Sequence, residues 1–497
     1  MEEKRSFLRL EFILKTCIMV LGAGYTVLYF ILSIPRLLFP YEIEWMEGSL
    51  LDHVLRIYQG KQLFVAPSIE MVNWQYQPLF YYLAAGAMHL FGVTYLAGRC
   101  VSFISIVIAS SLIAFLIRRE TKSWWYAFLG SSLLFAAYGL TGYWYEIARV
   151  DSLMLAFLLA SVTFIILRRD TLFIMLSAFF LALAFFTKQQ AFFYAAPVIL
   201  WLFLANRRNA IIFGIALIFF VAAGIFLFSL DNGKWYLYYI FRIPQSMGNS
   251  LHWDKTILVF PSYLFTQYAA GTLLILFFWI TNRSESKEWI RSVTGLCTLL
   301  VITAVLQLGM HIGHPGTYKN VAMPFAAMMA LVIPLAAYHL MKAGDTGVKY
   351  FVTAIVFIQL AGMFYSFNHV SLVKITKKDY EAGEAFFTEL HSIPGNVFFP
   401  QHGYIIHDGG KTYANQMAAQ ECHDVGDSTA LRFWGEWEQA FVEKKYDAII
   451  LDDGPFRPYD SIPGYTFART VNLGGHPFVT RAADAISIPR YLYLPIK

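Results

Sequence analysis

The run Phe12–Ile34, FILKTCIMVLGAGYTVLYFILSI, decides what kind of protein this is. Its 23 residues carry one charge, Lys15, and crossing the hydrocarbon of a bilayer takes roughly 17–25 mostly apolar residues. The charged leader MEEKRSFLRLE precedes it and no small-residue cleavage site follows, so it reads as a retained first span rather than a removed signal peptide. Outward from it, runs of the same character recur at 95–117, 124–141, 150–167, 171–187, 190–205, 210–230, 258–281, 289–310, 321–341 and 350–368, about eleven spans in all. The composition agrees: 58% of the 497 residues are hydrophobic and 14% charged, where a soluble domain carries about a quarter charged. The expected fold is an α-helical polytopic membrane protein.

Loop charges set the expected topology. Lys4, Arg5 and Arg9, then Arg118, Arg119, Lys122, Arg168, Arg169, Arg207, Arg208, Arg283, Lys287, Lys342 and Lys349, fall at alternate connections, placing the N-terminus in the cytoplasm by the positive-inside rule. Arg36, Arg56 and Lys61 lie in the first outer loop against that trend. The net charge of +5 is therefore loop charge, and no basic cluster of the kind that binds nucleic acid is present. Cys17, Cys100, Cys297 and Cys422 show no paired spacing, which argues against a disulfide framework or a structural zinc site.

Two regions lack the character of spans. In the outer loop 35–94, apolar residues at 50, 51, 54, 55, 57 and 58 recur with helical spacing beside Asp52, His53 and Arg56, predicting an amphipathic helix in the membrane interface; 79–92 is too short to cross and is predicted to lie there too. In the tail 370–497, charge returns to soluble levels. NVFFP and YDAIILDDG read as buried strands, and DYEAGEAFFTELHSI and FWGEWEQAFVEKK as helices, so a small α/β domain outside the membrane is expected beyond a transmembrane domain 1–369.

Charge near membrane depth costs roughly 2.5–3.5 kcal/mol per group and needs a reason to persist. On this topology the unexplained polar residues gather at the outer face. They are Glu42, Glu44, Glu47, Asp52, His53, Arg56 and Arg99 in and after the first loop; Glu146, Arg149 and Asp151; Lys188, Gln189 and Gln190; Arg242, Asn249, His252, Asp254 and Lys255; and His311, His314, Tyr318 and Lys319. Acids and bases converging on one face describe a polar cavity in which the bases hold an anionic phosphate and an acid takes a proton. Single residues also admit interface anchoring or ion pairing.

The stretch 44–102 resembles the GT-C superfamily of membrane glycosyltransferases, most closely bacterial relatives of the lipid A aminoarabinose transferases and protein O-mannosyltransferases. The residues that carry the resemblance are Glu44-Trp45-Met46-Glu47-Gly48, Gly60, Tyr76-Gln77-Pro78-Leu79-Phe80-Tyr81, Phe91-Gly92 and Arg99, with Ala148-Arg149-Val150-Asp151-Ser152 and Thr187-Lys188-Gln189 later. The superfamily's usual Asp-Glu pair is replaced here by Glu-Ile-Glu-Trp-Met-Glu; Glu44 aligns best by its distance to Gly60, Glu47 next.

The resemblance implies an inverting transfer of a sugar from a polyprenyl-phosphate donor to a glycan, lipid or protein hydroxyl at the outer face of the inner membrane. It implies Glu44 or Glu47 as catalytic base and Arg99, Arg149, Lys188 and Lys319 as phosphate-binding cations, Arg99 foremost. Asp52, His53, Tyr76, Gln77, Glu146, Asp151, Gln189, His314 and Tyr318 are the expected substrate-binding set. No cofactor is required, and a divalent metal is the alternative source of positive charge. A transporter or lipid-linked sugar flippase is the competing class; it calls for internal repeats and midplane acids, which the sequence does not show. His311 and His314, three apart, could ligate a metal, but at a Gly-Pro turn beside Tyr318 a hydrogen-bonding role is preferred; a phosphate loop at Gly410-Lys411-Thr412 and zinc held by His402, His407, Cys422 and His423 are set aside on spacing, and Tyr143, Trp144 and Tyr145 are read as an interface belt rather than a sugar platform.

Overall fold

The computed structural model describes residues 2–247, 253–281, 292–313, 317–403, 413–452, 462–471, 479 and 487–496. His314, Asn249, His252, His407 and Gly410–Thr412 fall outside them.

Each expected apolar run lies at least in part on a helix among the described residues. These are α1 (Glu2–Leu38), α4 (Tyr95–Thr121), α5 (Trp124–Ala136), α6 (Val150–Leu167), α7 (Thr171–Thr187), α8 (Ala195–Ala205), α9 (Arg207–Leu237), α11 (Trp253–Ser262) with α12 (Ala269–Thr281), α13 (Val293–Ile312), α14 (Met323–Ala343) and α15 (Thr346–Gly362); a short α10 (Ile243–Met247) follows α9. Among the described residues, seven helices are long and apolar enough to cross a membrane, or eight if 256–267 and 269–281, bent by 79° at their junction, form one span. The shorter apolar helices are Leu79–Phe91, Thr171–Thr187 and Gln189–Ala205.

α14 is the hub: nearly all its residues are buried, and it packs against α5, α13, α12 and α15. α9 instead shows Ile211, Ile215, Ile218, Phe219 and Phe226 on its exterior, as a lipid-facing helix should. The predicted span 124–141 stops being helical at Ala136. Gly139 presses so closely on Ser366 that a Cβ there would meet its carbonyl oxygen at 2.3 Å, and Gly142 and Tyr143 take left-handed backbone at φ +72° and +64°. The chain thereby turns back through the protein, burying every residue from 137 to 149. Tyr143, Trp144 and Tyr145 are consequently interior, at 0–1% exposure, and do not form an interface belt.

The first loop carries α2 (Glu47–Tyr58) and α3 (Leu79–Phe91). α2 does not rest on the interface with a wet polar face: Glu47 through Leu55 are all buried, Asp52 and His53 included. The C-terminal part covers it. That part holds α16 (Lys377–Ser392), α17 (Gln416–His423), α18 (Ser428–Val442) and a four-stranded sheet ordered β1 (Val397–Phe398), β2 (Ala448–Asp452), β4 (Pro489–Pro495), β3 (Tyr465–Thr470); β1 pairs with β2 in parallel and the other pairings are antiparallel. The predicted strands fall on β1 and β2 and the predicted helices on α16 and α18. Thr376 and Asp379 close the start of α16 with a capping box. One hydrophobic core joins Leu50, Leu51, Val54 and Trp74 of the first loop to Phe398, Ala418, Phe433 and Trp437.

Candidate active site

The turn 41–46 that enters α2 sends three glutamates in three directions. Glu47, at the helix start, where a negative charge suits the free N–H groups, is fully committed. Its carboxylate accepts from Ile43 N at 2.9 Å, Ala148 N at 2.9 Å, Arg99 Nε at 2.8 Å and Arg99 Nη2 at 2.6 Å. Arg99 spends its remaining N–H groups on the carbonyls of Arg36 (2.9 Å), Phe39 and Tyr41 (2.6 Å). A guanidinium has five N–H donors, and all five are used inside the protein. The geometry therefore leaves Arg99 no donor for a phosphate and Glu47 no lone pair for a proton; the two form a closed clasp between the first loop and the start of α4.

Glu146 is held away from Arg149 and Lys188: Arg36 Nε and the Tyr138 hydroxyl both donate to its Oε1 at 2.5 Å, all three groups being buried, while its Oε2 has no hydrogen-bond partner. His53 donates from Nδ1 to the Ser49 carbonyl at 2.7 Å, and its Nε2 accepts from Trp74 N at 3.3 Å. Burial depresses its pKa to about 3, so the ring stays neutral and holds the loop. Gln77 accepts from the Tyr236 hydroxyl at 2.9 Å, and Asp52 is buried on α2.

Glu44 differs. It is fully buried, and only one of its oxygens is hydrogen-bonded: Arg149 Nη1 donates to Oε2 at 2.9 Å while Oε1 has no hydrogen-bond partner. Burial raises its pKa to about 7, Arg149 opposing. Arg149 precedes the first residue of α6 and also donates from Nη2 to the Tyr76 hydroxyl at 2.8 Å, leaving Nε without a partner. Its guanidinium lies over the rings of Tyr76 and Trp144, 5.4 and 5.1 Å from their centroids. Trp144 stacks at 5.8 Å on Tyr318, which also meets Trp45 edge-on at 6.4 Å. Two residues beyond Arg149, Asp151 takes Lys188 Nζ at 2.7 Å and Asn320 Nδ2 at 3.1 Å. Lys188 remains 13% exposed, and Gln189 beside it donates to the Gln75 carbonyl at 2.7 Å. Lys319 is half-buried in the short turn Lys319–Ala322 that carries Asn320.

Of the sequence-predicted residues, then, Glu44, Arg149, Tyr76, Asp151, Lys188, Gln189 and Tyr318 are brought together. Glu47, Arg99, Glu146 and His53 are tied into the protein around them. Sequence reasoning assigned Trp144 to an interface belt and missed Asn320 and, on α17, Glu421. That carboxyl is buried, its pKa pushed up to about 8 by desolvation, and hydrogen-bonded to the Gln75 side chain, so the C-terminal part reaches the rim of the site. Among the described residues no group of three or more His, Cys, Asp or Glu side chains is arranged to hold a metal ion.

No family model and no curated protein matches the sequence. Solved structures do match in fold. ArnT from Cupriavidus metallidurans bound to undecaprenyl phosphate superposes with a TM-score of 0.61 at 9% identity, over 96% of this chain and 98% of that one. Its apo form gives 0.58 at 10% identity, over 96% and 97%. The archaeal oligosaccharyltransferase AglB from Archaeoglobus fulgidus, in complex with an inhibitory peptide and a dolichol-phosphate, gives 0.53 at 12% identity, over 87% of this chain and 69% of that one. The chain has a GT-C-like membrane fold, with a small sheet-bearing part at its C-terminal end.

Proposed function

We propose that the protein is a glycosyltransferase that moves a sugar from a polyprenyl-phosphate carrier to an acceptor hydroxyl, with Glu44 as general base. The observation that carries this reading is the pairing of a buried carboxylate oxygen and a buried guanidinium N–H, Glu44 Oε1 and Arg149 Nε, both without partners, beside Lys188. The acceptor hydroxyl attacks the anomeric carbon as the bond to the phosphate oxygen breaks. The hydroxyl proton passes to Glu44, and the electron pair leaves with the phosphate, whose growing charge Arg149 and Lys188 stabilise. A base poised near neutrality is matched to that task, and Glu44 sits at about 7. Attack from the face opposite the leaving phosphate inverts the anomeric centre. Trp144, Tyr318 and Tyr76 offer ring faces to the sugar. ArnT bound to undecaprenyl phosphate and AglB bound to dolichol-phosphate share the fold, which supports a lipid-phosphate donor here.

Arg99 and Glu47 act in this scheme as the frame of the site rather than as phosphate ligand and base. Arg149 and Lys188 supply the positive charge, so the scheme calls for no metal; undiminished turnover in EDTA is its expected signature. The loop charges orient the chain with its N-terminus cytoplasmic and the residues after 369 extracytoplasmic, so the site opens to the outer leaflet of the inner membrane. The test is purified protein supplied with a panel of polyprenyl-phosphate sugars, free polyprenyl phosphate being the readout. Wild type releases it, and Glu44→Gln, folded and still binding donor, does not. Undiminished turnover by Glu44→Gln would refute the assignment of the base.

A further inference from the structure

The third glutamate of the entry turn points away from the site, into the C-terminal part. Glu42 Oε2 lies 2.5 Å from His402 Nδ1, and Glu42 Oε1 accepts from Gly403 N at 2.9 Å. The other ring nitrogen of His402, Nε2, meets both oxygens of Asp452 at the end of β2, at 2.9 and 3.1 Å, and Ser487 Oγ at 3.1 Å. Ser487 in turn bonds Asp452, Gln401 Oε1 accepts from Asp452 N at 2.8 Å, and the imidazole stacks on Phe399 with centroids 4.6 Å apart. His402 is 4% exposed, Glu42 2% and Asp452 7%. A carboxylate at each nitrogen favours the imidazolium, while burial raises the pKa of Glu42 itself. Although burial opposes that charge, Asp452 and then Glu42 outweigh it and lift the pKa to about 10. One cation thus joins two buried anions from segments 410 positions apart in sequence, Glu42 and Asp452.

The backbone beside this triad is in direct contact. A Cβ on Gly403 would fall 1.8 Å from the carbonyl carbon of Gly48, and one on Gly48 would fall 2.8 Å from the Cα of Gly403. Glu44 is therefore bracketed. On its C-terminal side the turn is fixed by Glu47 and Arg99; on its N-terminal side, by Arg99 on the Tyr41 carbonyl and by Glu42 on His402. Among the described residues the hydrogen bonds of His402 run to Glu42, Asp452 and Ser487, and none to Glu44, Arg149 or Lys188.

We propose that His402 is a positioning residue for the Glu44 site: clasped between Glu42 and Asp452, it pins the entry turn so that Glu44 meets Arg149, and it makes the C-terminal part a component of the active site. The inference rests on the functional reading above. A misplacement of about 1 Å in a reacting group costs about 100-fold in rate. Full-length His402→Ala is accordingly expected to lose about 100-fold in kcat with KM for the polyprenyl-phosphate donor within threefold of wild type. Its pH–rate profile should also shift, because Glu44 no longer faces Arg149 in the same geometry. Glu42→Gln, which keeps the shape of the side chain and removes its charge, should show the same pattern at about tenfold, and serves if His402→Ala does not fold. The variants are first required to be monodisperse and to resist proteolysis at the exposed connection around 374–378 as wild type does. A folded His402→Ala or Glu42→Gln protein with kcat within twofold of wild type and an unmoved pH profile would overturn the proposal while leaving the functional reading intact. Wild type that turns over none of the donors would instead sink the functional reading itself, and the positioning role with it.

Discussion

Replacing Arg99 by alanine separates two accounts of this residue that make opposite forecasts. As a phosphate ligand, Arg99 would be dispensable for folding and its loss would weaken donor binding. As the clasp seen here, it makes five hydrogen bonds to Glu47 and to the carbonyls of Arg36, Phe39 and Tyr41, four of them buried and the one to Tyr41 partly so. Arg99→Ala leaves the buried Glu47 carboxylate without its cation, with only the Ile43 and Ala148 N–H groups as donors, and frees three carbonyls. Breaking a buried ion pair from one side costs about 3–5 kcal/mol, and each buried polar group left unpaired adds about 1–3 kcal/mol. Domain stabilities are only about 5–15 kcal/mol, so the expected result is protein that fails to accumulate or unfolds far below wild type. Thermal unfolding of detergent-solubilised protein, followed by size-exclusion monodispersity and intrinsic fluorescence, measures this directly. At about 2 °C per kcal/mol, a drop of at least about 6 °C is expected. Arg99→Ala protein with unchanged Tm and weakened binding of polyprenyl phosphate would refute the reasoning and return Arg99 to the phosphate.

The remaining predictions concern the site and its cover. Because Glu44 must be deprotonated to accept a proton and its pKa is raised to about 7 by burial, kcat should rise about tenfold per pH unit below 7 and level off above it; a rate independent of pH between 5 and 8 would contradict its role. Arg149→Ala removes the cation that holds that pKa down, so the residual activity's acidic limb should move to higher pH; an unmoved limb would count against the pairing. Lys188→Met should raise KM for the donor at least about tenfold while destabilising the protein by leaving Asp151 with Asn320 but without its lysine; Lys188→Met with Asp151→Asn should recover Tm but not donor affinity. Gly403→Ala places a methyl group against the Gly48 backbone, which has no side chain to swing aside. It should cost about 1–3 kcal/mol and speed proteolysis near 374–378, and unchanged protease resistance would show that the contact is not needed.

The membrane architecture was legible because lipid imposes it: a crossing segment needs a long apolar run, and each such run is helical over most of its described length here, though the run 124–141 leaves its helix at Ala136. The convergence of Glu44, Arg149, Asp151, Lys188 and Tyr318 was legible as well, because alternating loop charges assign these residues to one face. What each charged group does within that face was not. Arg99 and Arg149 look alike in sequence, each at the mouth of a span; only the fold shows that one has all five donors engaged and the other retains a donor without a partner. The aromatic run 143–145 has the composition of an interface belt, and composition does not distinguish a ring facing lipid headgroups from one buried by a left-handed turn. The polar face of α2 read as water-exposed because what buries it is tertiary: His53 lies against Trp74 and Tyr81, and Gly403, some 350 residues away, meets Gly48. The same distance hid the Glu42–His402 pair, for which no local spacing exists.

The account stands most directly on where the donor sits. A structure of the protein with a non-transferable polyprenyl-phosphate sugar analogue measures it. The account predicts phosphate oxygens within about 3 Å of Lys188 Nζ or the Arg149 guanidinium, with the anomeric carbon on the Glu44 side. A phosphate bound at the opposite membrane face, or held by Arg99 with the Glu47 pair opened, would contradict it.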